Sequence, residues 1–351
     1  MTAAAIGSAG RGQPCAWRLP FEMKVLLQKL SARLALGLAL LPVAAAAPAA
    51  VAPLADHHQH LFSPAIVKLI ASPDGKGPGE IRVEDVIAHL NAAGIRHGVV
   101  MSVAYMYGRP SRVIEDEYAK VRAENDWTAD QVARYPARLK AFCGINPLKE
   151  YALDEIARCA AHPVLRTGLK MHFGNSDVQL ANPAHLERMR QVFRAANASK
   201  MAIAIHMRAS ISLNRPYGPE QAHLFLEELM PLASDITVQV AHLAGAGPGY
   251  DDPASDWVMS ILASAFEQRD PRTRNLWFDV ASMVDKDIST VNRALVARRI
   301  RQVGVDKILY GSDAATSNNQ LPREAWAAFR RIPLSDAEFK RIAGNLAPYL
   351  K

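Results

Sequence analysis

From residue 54 onward, short apolar runs alternate with stretches whose apolar residues recur at helical spacing. Eight runs have the length of strands: 54–60, 97–105, 139–146, 167–173, 201–207, 236–242, 275–281 and 307–313. Near-continuous apolar runs such as Met201–Ile205 suit strands buried on both faces, as in a parallel sheet. Between the runs the period changes. Residues 83–90 place apolar side chains at i, i+3, i+4 and i+7, and the pattern stops at Gly94. Residues 151–158 run up to Pro163, and Pro183 opens a helix to about Ser199, as proline does at a first helical position. Residues 220–232, 253–268, 288–302 and 323–331 complete the helices. Strands alternating with helices predict right-handed βαβ units. Eight units in a single domain of residues 53–351 predict an α/β fold, a (β/α)8 TIM barrel. The alternative is a doubly wound open sheet, which gathers its ligands at one crevice. Here polar residues close strands 1, 5, 6 and 8, which suits a closed ring.

Those closing residues carry the chemistry. The first strand ends in Asp56-His57-His58-Gln59-His60; the fifth, sixth and eighth run into His206, His242 and Asp313. Residues two apart in a strand share a face, so His58 and His60 aim both imidazoles at one point. The ends of parallel neighbouring strands converge there as well. Three or four N/O donors with an open position are what a catalytic divalent metal needs. His57 points to the opposite face, between barrel and helices. Asp56 shares the face of His58 and His60 and is expected to orient a ligand imidazole. Asp279 reads as a hydrogen-bond acceptor within the barrel wall.

Composition bounds the function classes. The chain has 351 residues, half of them hydrophobic, and a formal charge of +7. Removing residues 1–52 leaves 36 basic and 33 acidic residues, with no basic cluster interleaved with aromatics. Nucleic acid is therefore not an expected partner. Residues 1–52 read as an N-terminal extension carrying a cleaved signal peptide: Lys24, Lys29 and Arg33, then apolar 34–43, then Ala-rich 44–50. Met23 reads as the true start. The apolar run is short for a membrane span, so the mature protein is expected in the periplasm or outside the cell, without stable membrane insertion. Cys143, in a strand-like run, and Cys159, on a helix, read as buried thiols that pack like small apolar residues. Ser72–Gly79 has the composition of a mobile loop, and residues 106–137 are expected to carry helices of their own. Both lie on the active face of a barrel and are candidate lids.

Taken in order, D-x-H-x-H at 56–60, G-I-N-P at 144–147, G-L-K-M-H at 168–172, A-I-H at 204–206, A-H-L-A-G at 241–245, F-D-V-A-S at 278–282 and Y-G-S-D at 310–313 resemble the amidohydrolase superfamily. The branch is the amidohydrolase-related one that includes aminocarboxymuconate-semialdehyde decarboxylase-like enzymes. The resemblance covers roughly 54–351. It implies that His58, His60, His206 and Asp313 bind one divalent ion, most often zinc, with manganese an alternative. It implies His242 as an acid/base or polarising group beside the metal, with Asp313 sharing the proton work. In some relatives a carboxylated lysine on the fourth strand bridges two metals, which makes Lys170 the candidate for a binuclear site. Otherwise Lys170, with His172, Arg208 and Arg109, is expected to line a site for a small, carboxylate-bearing substrate.

The expected activity is hydrolysis of a carboxylic ester, lactone or amide by metal-activated water. Nonoxidative decarboxylation of a small or aromatic carboxylic acid uses the same ligands and is the alternative. A non-catalytic metal- or ligand-binding barrel is disfavoured, because all five chemical positions are present. A homodimer is compatible with this kind of barrel.

Overall fold

The computed structural model describes residues 51–72, 77–315 and 319–351. The expected leader, and the centre of the expected mobile loop at 73–76, lie outside the described residues.

Eight parallel strands form one sheet in chain order: β1 (Ala55–Gln59), β2 (His97–Met101), β3 (Leu139–Gly144), β4 (Gly168–His172), β5 (Ala202–His206), β6 (Val238–Val240), β7 (Leu276–Asp279) and β8 (Ile308–Leu309). The sheet curls until its two edges meet. His57 N donates to Tyr310 O and Asp313 N donates to His58 O, both at 2.8 Å. The structure is the expected (β/α)8 barrel rather than an open sheet. The strands are buried on both faces, which explains their unbroken apolar runs.

Helices follow the strands: α1 (Pro64–Ile70), α2 (Val83–Ala92), α3 (Glu117–Ala133), α4 (Ala152–Ala161), α5 (Phe173–Ser176), α6 (Pro183–Ala198), α7 (Pro219–Leu224), α8 (Pro253–Glu267), α9 (Thr290–Val303), α10 (Pro322–Phe329) and α11 (Asp336–Gly344). Pro183 is the first residue of α6, and the Asn182 side chain caps it by accepting from Ala184 N and His185 N. No helix among the described residues is long and apolar enough to cross a membrane.

Four expectations change. The helix expected over 220–232 is α-helical only to Leu224; a π turn (Phe225–Leu229) and a 3-10 turn (Met230–Ala233) replace its second half. Pro231 lacks the N–H a regular helix would need there. Helix α11 was not expected, although Ser335 and Glu338 form the capping box that announces it.

Cys143 and Cys159 are not free thiols but a disulfide. Helix α4 returns antiparallel along β3 and brings their Cα atoms to 6.3 Å, within the span a disulfide bridges. Asp56 does not reach an imidazole. Its Oδ1 accepts from His58 N and Ser312 N at 3.1 Å, and its Oδ2 from the Gln59 amide at 2.6 Å. A register shift in β1 between Asp56 and Gln59 turns the carboxylate toward the β8 side, where it fastens the barrel seam.

Candidate metal centre

The site is built from strand ends. β1 supplies His58 and, one residue past its end, His60. The chain after β8 supplies Asp313, which sits at φ 53°. A side chain at Gly311 would put its Cβ 2.8 Å from the Cβ of His58, so glycine lets the last strand press against the first. The Nε2 atoms of His58 and His60 lie 3.2 Å apart. Asp313 Oδ1 is 3.5 Å from His60 Nε2 and 4.0 Å from His58 Nε2.

The tautomers are set from behind. His60 Nδ1 donates to the Met101 carbonyl at 2.6 Å, which leaves Nε2 as a lone pair. His58 Nδ1 donates to Asp279 Oδ2 at 3.0 Å, with the same result. Two imidazole lone pairs therefore face each other. Asp313 Oδ1 is buried beside them without a hydrogen-bond partner, while Asn319 holds Oδ2 at 3.0 Å. Two nitrogen lone pairs and an orphaned carboxylate oxygen converging on one point fit a divalent cation. Among the described residues, His58, His60 and Asp313 form a group whose donor atoms all lie within 4.8 Å of one another.

Burial, then the charge of Lys170, holds His60 well below the usual histidine range. Burial lowers His206 and His172 in the same way, and lowers His242 too. The His60, His172, His206 and His242 imidazoles are therefore neutral near pH 7, the form a metal binds. Burial pushes the Asp279 carboxyl up, but the contact with His58 and the His242 N–H outweigh it and keep it below the ordinary carboxylate range. Burial brings the Lys170 amine down to about 8; the Asp313 and Asp279 charges oppose that. Its Nζ stands 3.0 Å from His58 Nε2.

His206 lines the same cavity but stands outside the tight group. Its ring stacks on His172, centroids 3.8 Å apart, and lies 5.0 Å from that of His242. His172 is further engaged, accepting from Asn175 N at 3.1 Å. His242 follows β6 on a left-handed turn. Its Nδ1 donates to the Ala281 carbonyl at 2.7 Å, so Nε2 is the free nitrogen. His57 is where the alternation put it, away from the cavity. It donates from Nδ1 to Tyr310 O and accepts at Nε2 from Ala347 N, and burial lowers it to about 4.

A cavity of about 280 Å3 covers the group, and Lys170, His172, His206, His242 and Tyr105 are among its walls. A second cavity of about 320 Å3 adjoins it across His172, Asn175, His206 and Ala246; Arg109 and Arg208 line only this outer one. Arg208 is already engaged: Nε donates to Asp252 at 2.6 Å and Nη1 to Ala209 O at 3.0 Å. Asp279 is the hydrogen-bond acceptor in the barrel wall that the sequence suggested, with His58 as a partner that reading did not name; Asn319 as the partner of Asp313 and Tyr105 in the cavity wall were not singled out in the sequence. Asp279 had one legible signal, a carboxylate at the end of an apolar strand; Asn319 and Tyr105 had none.

A closed barrel with a His-His-Asp group at the C-terminal ends of its strands defines a metal-dependent TIM-barrel protein. The chain belongs to the amidohydrolase family, whose sequence model matches residues 55–345. No curated protein matches it by sequence. Among solved structures it is similar to a probable 2-pyrone-4,6-dicarboxylic acid hydrolase from Acinetobacter baumannii with citric acid bound, at TM-score 0.52 and 18% identity over 83% of this chain and 96% of that one. It is also similar to 2,6-dihydroxybenzoate decarboxylase from Rhizobium, at TM-score 0.54 and 16% identity over 84% and 96%. A third is 5-carboxyvanillate decarboxylase from Novosphingobium aromaticivorans, complexed with manganese and a nitrobenzoic acid, at TM-score 0.54 and 15% identity over 84% and 94%. At these identities the likeness is one of fold.

Proposed function

We propose that the protein is an exported hydrolase that uses one divalent metal ion, zinc or manganese, on a carboxylic ester, lactone or amide bearing a carboxylate. The observation that carries this reading is the pair of facing Nε2 lone pairs, 3.2 Å apart, beside the orphaned Oδ1 of Asp313. His58, His60 and Asp313 would hold the ion, with His206 reaching it from the adjoining wall. A divalent ion there supplies Lewis acidity, lowering the pKa of a coordinated water toward neutrality and polarising a carbonyl.

The chain's own residues do the rest. Asp313 would hold the ion through Oδ1 and offers its other oxygen, Oδ2, as a proton acceptor at the cavity floor. Neutral His242 presents Nε2, which can take a proton and return it to a leaving atom. The Lys170 amine is a buried cation for an anionic oxygen. Arg109, which makes no ion pair among the described residues, lines the outer cavity where a substrate carboxylate would sit.

Nonoxidative decarboxylation is the second reading. It is favoured by the decarboxylases among the similar structures, and a protonated His242 could deliver its proton to carbon as well as to oxygen. Export is supported by the charged, apolar and small-residue order of residues 24–50 and by the Cys143–Cys159 disulfide, a bond typical of oxidising compartments.

Elemental analysis of the purified protein, joined to a screen of esters, lactones, amides and aromatic acids, tests the reading. Close to one tightly held ion per chain is expected, and it should be gone from the His58→Ala/His60→Ala double variant. Solvent oxygen appearing in the product marks hydrolysis; released carbon dioxide marks the second reading. Full metal content in the double variant would overturn the site.

A further inference from the structure

The geometry points to Tyr217 as a positioning residue for His242, with Arg208 acting through it rather than on substrate. After β6 three successive non-glycine residues, His242, Leu243 and Ala244, sit at φ 55, 45 and 63°. L side chains avoid this left-handed region, and such a run persists only where its surroundings over-determine it.

Three hydrogen bonds do so. His242 N donates to Asp279 Oδ1 at 2.9 Å. Gly245 N donates back to His242 O at 2.7 Å. The Ala244 carbonyl accepts from the Tyr217 hydroxyl at 2.7 Å. The first bond comes from the end of β7 and the second lies within the turn itself. The third reaches in from the loop between β5 and α7.

Tyr217 is only 8% exposed, and its ring carries the Arg208 guanidinium 4.8 Å from the centroid. Arg208 is fixed in turn by Asp252, the N-cap of α8, which also accepts from Ser255 Oγ at 2.9 Å. Contacts thus run from Asp252 through Arg208 and Tyr217 to Ala244, two residues from His242. Sequence pattern alone assigned Arg208 a substrate carboxylate; here its charge is balanced by Asp252 and its face lies on a tyrosine. Ala244 is fully buried. Without the Tyr217 hydroxyl its carbonyl has lost this donor, the peptide rotates to find another, and the His242 imidazole turns with it.

This inference rests on the proposed proton-handling role of His242. Its first test does not need a substrate. In zinc-loaded protein labelled with 15N-histidine, the His242 imidazole signals are those missing from His242→Gln. In Tyr217→Phe these signals shift or double, while those of His57, held by Tyr310 and Ala347, stay in place and the metal content is unchanged. With a substrate in hand, kcat falls about tenfold, the worth of roughly one hydrogen bond, and KM holds. Arg208→Lys, which can keep Asp252 but leaves the tyrosine face bare, gives the same signature and serves if Tyr217→Phe does not fold. Unmoved His242 signals overturn the inference. So does movement of His57 along with His242, which would mark a general loosening of the fold. A His242→Asn variant of undiminished rate would instead defeat the functional reading.

Discussion

Asp279 holds His58 by the nitrogen that faces away from the cavity, its Oδ2 lying 3.0 Å from His58 Nδ1. The same carboxylate takes Gln239 Nε2 at 2.7 Å and the backbone N–H groups of His242 and Ala281 at 2.9 and 3.1 Å. One buried acid at the end of β7 therefore decides which nitrogen of His58 faces a metal and where the His242 turn begins. Carboxylate–histidine pairs of this kind raise the basicity of the outer nitrogen.

Asp279→Asn tests that dual role. An asparagine oxygen can serve either His58 or the backbone donors, and its amide then opposes a donor on the other side. Metal affinity should fall by about 10–100-fold, measured by competition with a chelator of known strength. A folded variant that binds metal as the parent does would show that Asp279 is wall material only.

His242→Asn separates chemistry from metal holding. The variant should keep its ion and its fold while kcat drops by roughly 10²–10⁴-fold, the usual worth of a positioned acid/base. If metal content falls from two equivalents to one, a binuclear centre with carboxylated Lys170 replaces the mononuclear one. An unchanged rate would reduce His242 to a packed side chain.

The disulfide and the leader meet in one measurement on protein from its native host. Denatured and alkylated without reductant, the mature chain should leave Cys143 and Cys159 unlabelled, and its mass should place the N-terminus between about residues 45 and 53. Reduction should lower unfolding stability by ~3 kcal/mol, since the bond closes a loop of sequence separation 16. Two alkylated cysteines would mean the bond does not form in the cell. A mature chain retaining residues 24–43 would revive a membrane anchor.

Glu124 on α3 should give stability an unusual pH dependence. Burial pushes its carboxyl up to about 7, against hydrogen bonds from Ser63, and its Oε1 has no partner. A raised folded-state pKa means the native state holds the proton more tightly than the unfolded chain. The associated stability is complete below the unfolded value near 4.5 and is lost as pH rises through 7. Glu124→Gln should remove that loss, on the order of 3 kcal/mol at most, in denaturant titrations between pH 4.5 and 8. Parallel stability curves for variant and parent would show that the carboxyl is not buried as described.

Much of the barrel could be read from the chain. β1 to β8 are unbroken apolar runs because both of their faces are buried, and that requirement writes itself into local composition. The ends of those runs are where a parallel barrel presents its chemistry, so His58, His60, His206, His242 and Asp313 were legible as one rim. What local pattern cannot carry is the contact between elements. The helix after residue 224 loses its α geometry to Pro231, and Asp56 turns to the barrel seam because of a shift in β1. The disulfide exists because α4 folds back on β3, a distance no spacing rule contains.

The sequence by itself determined the order of the elements, the closed ring and the residues on its active rim, because strand burial and period-two alternation are local properties. Only the tertiary structure decided which nitrogen of each histidine is free. It also set His206 against His172 rather than within the tight His-His-Asp group, and it spent Arg208 on Asp252 and Tyr217. Those outcomes depend on hydrogen-bond partners distant along the chain, Met101 for His60 and Asp279 for His58, and folding alone brings them within reach.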